Sequence, residues 1–92
     1  MCSHHTERIE AAGSAKGPAG WFPLRLASVY FDHPQHTLAD HTLNIDFLNP
    51  ELGPSTRVAV ELTERSARSL AAAILAALDA TAPGPAAVPD PR

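Results

Sequence analysis

Residues 41–48 alternate more strictly than any other part of the chain. His41, Leu43, Ile45 and Phe47 share one parity, and Thr42, Asn44, Asp46 and Leu48 share the other. Successive side chains of a strand point to opposite faces, so this segment calls for a sheet with one apolar face and one mostly polar face. Neighbouring segments supply further strands. Arg57 to Leu62 sets Val58, Val60 and Leu62 against Arg57, Ala59 and Glu61. Pro23 to Asp32 is rich in aromatic and aliphatic residues on both parities, so both of its faces should be partly buried. Thr6 to Ala11 reads as a shorter, weaker strand.

Breakers separate these runs. Ala12 to Gly20 holds three glycines and one proline and reads as a loop, with Trp21 and Phe22 after it as core anchors. Pro34 should end the second strand by His33, and Asn49 to Pro54 forms a turn-rich connector. Thr63 is placed to cap a helix whose Ala67, Leu70, Ala71, Ile74 and Leu78 recur at helical spacing, with Leu75 widening the stripe and Glu64 four residues before Arg68. Pro83-Gly84-Pro85 cannot continue it, so the helix should fade near Asp79 to Thr81. The order β-β-β-β-α implies a two-layer α+β domain over residues 1–81. Its four-stranded, mostly antiparallel sheet is covered by one C-terminal helix, and residues 82–92 form a disordered Pro/Ala-rich tail.

At 92 residues the chain is short for a self-sufficient core, and its strands carry more apolar surface than one short helix covers. A homodimer built on the sheet or helix surface is the expectation. Seven basic and ten acidic residues give a net charge of -3 with no basic stripe, which argues against nucleic-acid binding. Cys2 is the sole cysteine, so no intrachain disulfide forms, and Leu70 to Leu78 is too short to span a bilayer. A cytoplasmic protein with no membrane association is the reading.

The histidines carry the chemistry. His4, His5, His33, His36 and His41 all fall in the first 41 residues, beside Cys2, Asp32 and Asp40. His33 and His36 flank a proline turn that can bend both around one ion, and His41 opens the next strand. Imidazole, thiolate and carboxylate suit Zn²⁺ first, with nickel, copper or iron as alternatives. The expected metal ligands are His33, His36 and His41, completed by Cys2, His4 or Asp32. An ion with an open position could act on a small-molecule substrate. A metal-free alternative uses Cys2 as nucleophile, with His41 or His36 as base. A third is a non-catalytic homodimeric scaffold. Gly13, Gly17 and Gly20 precede a strand rather than a helix, so they make no phosphate-binding loop.

Several segments taken together carry a resemblance: Met1-Cys2, Gly20-Trp21-Phe22-Pro23-Leu24, Val29-Tyr30-Phe31-Asp32-His33-Pro34, His41 to Phe47 and Arg57 to Leu62. They resemble a small actinobacterial protein family of unknown function over roughly Met1 to Leu78. The resemblance implies an actinobacterial cytoplasmic protein linked to specialised metabolism, and it brings no reaction with it.

Overall fold

The computed structural model describes residues 5–81, so Cys2, His4 and the tail expected at 82–92 lie outside the described residues. The element order is β1 (Thr6–Gly17), β2 (Gly20–Asp32), β3 (Thr42–Leu48), a 3₁₀ turn (Pro50–Leu52), β4 (Arg57–Leu62) and α1 (Glu64–Asp79). The strands form one open sheet in the order β1-β2-β3-β4, every pair antiparallel, and the helix follows them in an α+β fold.

The glycine-rich stretch departs from its expected form as a loop. It is the far half of a long hairpin, in which Gly13 pairs with Leu24, Ala15 with Phe22 and Gly17 with Gly20, leaving Pro18 and Ala19 as the turn. Ladder bonds need only backbone donors and acceptors, so small side chains do not keep a segment out of a sheet when a partner strand is adjacent. Gly20 leaves the turn at φ +115°, a conformation side chains rarely adopt. The register slips once between Glu10 and Gly13, where two residues of β1 oppose one of β2. Trp21 and Phe22 then point to opposite faces. Phe22 is buried at 8% exposure, whereas Trp21, expected in the core, is 71% exposed.

Register stacks the apolar parity into rows. Val29 lies opposite Ile45 and Ile45 opposite Val60, while Phe31, Leu43 and Leu62 form the next row. The other parity is polar and locally well packed. Ser28, Thr42 and Asn44 are buried there, and the Thr42 hydroxyl donates to Asn44 Oδ1 at 2.7 Å. Beside them Arg57 donates to Asp46 Oδ1 from Nη2 at 2.7 Å, and the Tyr30 hydroxyl donates to Asp46 Oδ2 at 3.5 Å. Burial, and then the Asp46 charge, raise the Tyr30 hydroxyl above its ordinary range. The sheet curls toward this face: a Cβ on Gly17 would stand 3.3 Å from the Phe22 ring and 3.7 Å from the Arg57 carbonyl of β4.

At the 3₁₀ turn, buried Asn49 accepts from the Glu51 amide through Oδ1 and donates to the Pro23 carbonyl, tying the connector to β2. Thr63 caps α1 by accepting from the Ser66 amide, and Arg68 pairs with Glu64 at 2.9 Å, both as the sequence predicts. The helix packs sparingly on the apolar face. It meets β3 and β4 but buries none of its own residues. A groove of about 540 Å³ opens between helix and sheet, walled by Val29, Phe31, Leu43 and Ile45 below and by Leu70 and Ile74 above. Among the described residues, no helix is long and apolar enough to cross a membrane.

Candidate functional site

The connection from β2 to β3, residues 33–41, is built from Pro34, polar residues and the exposed Leu38 and Ala39, so its own side chains offer no core to hold it. Glu61 of β4 supplies the anchor. Its carboxylate accepts from three successive backbone amides, those of Gln35 at 2.7 Å, His36 at 3.0 Å and Thr37 at 2.9 Å. These bonds, from Gln35, then Thr37 and His36, hold the Glu61 carboxyl at about 2, well below its ordinary value. At the start of the loop the Asp32 carboxylate accepts from the adjacent His33 amide at 2.7 Å.

Pinned at its middle, the loop returns its two ends to one place. The His33 and His41 rings lie with centroids 4.4 Å apart and planes tilted by 32°, and His41 stacks on Phe31 with centroids at 5.6 Å and planes 14° apart. His33, Asp40 and His41 each offer a ligand atom, all within 4.8 Å of one another. The parity of His41 with Leu43 explains its position. Its ring leans to the apolar side against Phe31, which also walls the groove, and its side chain is only 21% exposed.

The hydrogen bonds fix which nitrogens are free. His33 Nδ1 lies 3.1 Å from the Asp40 carbonyl, and a carbonyl only accepts, so in the neutral ring Nδ1 carries the proton and Nε2 the lone pair. Such a carbonyl partner on the second nitrogen is the usual support of a metal-binding imidazole. His41 Nδ1 donates to Asp40 Oδ2 at 3.1 Å. His41 Nε2 is buried and, among the described residues, has no hydrogen-bond partner. An unmet buried polar atom costs about 1–3 kcal/mol, so this ring is held where it is by its stacking and by Asp40. Two imidazoles and a carboxylate in this arrangement can hold a divalent cation, and an aspartate-oriented imidazole can also move a proton.

Of the ligands expected from sequence, the structure brings together His33 and His41. His36 is exposed, and its backbone amide serves Glu61 rather than the cluster. Asp32 is used by the His33 amide, and Cys2 and His4 fall outside the described residues. Asp40, next to His41 in the chain, is the carboxylate that lies with the two rings in the described residues. Glu61 was missed altogether, since nothing local in the sequence links it to a loop 24–26 residues away.

The model of a family of unknown function (DUF6295) matches residues 1–87, and the chain belongs to that family. No curated protein and no solved structure matches it.

Proposed function

We propose that this member of the family binds one divalent metal ion through His33, Asp40 and His41, with zinc first and nickel, copper or ferrous iron as alternatives for the same donors. The observation that supports the reading is the approach of three ligand atoms to within 4.8 Å on a loop clamped by Glu61. The clamp matters energetically, because folding has already brought the ends of the loop together and little further ordering opposes binding. Two nitrogens and one oxygen are the donor set of open sites, in which three protein ligands leave a position for water or substrate. An ion held there would polarise a carbonyl or activate water for a small molecule.

Calorimetry of the tag-free full chain with Zn²⁺ near neutral pH tests this reading. We expect one ion per chain, with His33→Ala, Asp40→Ala and His41→Ala each weakening affinity more than about tenfold. His36→Ala should leave it within about twofold, since His36 contributes its amide and not its ring. Binding no tighter than about 100 μM, or indifference to loss of both His33 and His41, rejects the site.

A further inference from the structure

The imidazole pair continues the floor of the groove between α1 and the sheet. Phe31 and Leu43 face each other in register, with His33 two residues after Phe31 and His41 two residues before Leu43. Two residues of strand rise about 7 Å and return to the same face, so the two rings form the next rung beyond the row of Phe31 and Leu43. The stack of His41 on Phe31, at 5.6 Å, joins the two features directly, because Phe31 also walls the groove. The candidate metal group therefore stands at the end of an apolar groove.

Size and charge say what fits there. At about 540 Å³ the groove has the volume that takes one small molecule, and its floor and helix wall are apolar. Its charged lining residues, Glu64 and Arg68, pair with each other at 2.9 Å, so neither calls for a charge on the body of a ligand. The metal group differs. A divalent ion on two neutral imidazoles and the Asp40 carboxylate keeps a net positive charge and an open position, which an anionic oxygen group would fill and neutralise. The complementary molecule has an apolar body and one carboxylate at its end.

We propose that the groove binds a small apolar carboxylate, such as a medium-chain fatty acid, with its head group on the metal ion and its chain along Phe31 and Ile45 beneath α1. This rests on the reading of His33, Asp40 and His41 as a metal site, which Zn²⁺ titration of the protein alone tests separately. Calorimetry of the zinc-loaded full chain should show one octanoate per chain, bound at least about tenfold more tightly than butyrate, since each fully buried methylene adds about fourfold. Removing the ion with a chelator should weaken octanoate binding at least about tenfold. Ala71→Trp, an exposed position on the helix wall, fills the groove and should remove the preference for octanoate, while zinc affinity stays within about twofold. With zinc bound, equal affinity for octanoate and butyrate overturns this proposal alone, and assigns the apolar walls to a protein segment, of this chain or of a second copy. A preference that survives Ala71→Trp, or octanoate binding that ignores the ion, overturns it as well. Failure of zinc to bind overturns both readings.

Discussion

The two faces of the sheet solve opposite problems. On the polar face the groups are satisfied from within the chain: Thr42 donates to Asn44, Arg57 and Tyr30 to Asp46, and three loop amides to Glu61. On the apolar face the rows through Val29 and Phe31 are only half-buried, the helix above them is exposed, and at the rim the buried Nε2 of His41 meets no partner among the described residues. Polar groups are directional and are completed by a few well-placed partners, whereas apolar burial scales with area, which a 92-residue chain lacks. The polar face is therefore finished by one chain, while the apolar face remains open.

The largest effect expected from breaking this contrast is at Phe22, among the described residues the one large apolar side chain that is buried, where the sheet curls against Gly17. Phe22→Ala should lower unfolding free energy by about 3 kcal/mol, read from urea melts, because the site cannot collapse without uncurling the sheet. A loss below about 1 kcal/mol would show that the curl is not where stability resides. Next comes the helix cap. Thr63→Ala removes the acceptor for the Ser66 amide and should cost about 1 kcal/mol.

The smallest global effect, and the sharpest local one, concerns Glu61. Its folded value of about 2 lies below the ordinary 4.5, so the ionised carboxylate is favoured by folding. That contribution is fully present above about pH 4.5 and is lost as pH falls through the folded value near 2. The amide resonances of Gln35, His36 and Thr37 should move together in an acid titration with a midpoint near 2, and Glu61→Gln should abolish the movement. A midpoint near the ordinary 4.5 would mean that the loop is not held by this carboxylate.

Much of the fold was legible because its signals are local. Alternation in residues 41–48 and 57–62 reported faces as well as strands, and Thr63 with the stripe from Ala67 to Leu78 reported the helix and both its ends. The missed half of β1 has the opposite origin. Nothing in Gly13 to Gly17 prefers a strand, and pairing with Gly20 to Leu24 supplies the preference from outside. Trp21 was misplaced because the slip at Glu10 and Gly13 and the curl of the sheet decide which aromatic faces inward, and neither can be read from the pattern around it. At the site, the parity of His41 predicted its lean toward the apolar rim. That Asp40 rather than Asp32 lies beside the two rings, with the His36 ring outside that group, depends on how the loop hangs from Glu61.

Every strand's neighbour in the sheet is also its neighbour in the chain. Assembly can then proceed as successive hairpin closures, each about 1–10 μs when isolated, with no search for a distant partner strand. The Pro18-Ala19 turn is the shortest of these closures and nucleates the longest ladder, so β1 and β2 are the natural place for ordering to begin. Once the sheet has zipped, what remains is the docking of α1, which follows β4 in the chain and meets β3 and β4. Closure of the sheet should therefore keep one rate at every protein concentration, since each of its ladders joins neighbours in one chain.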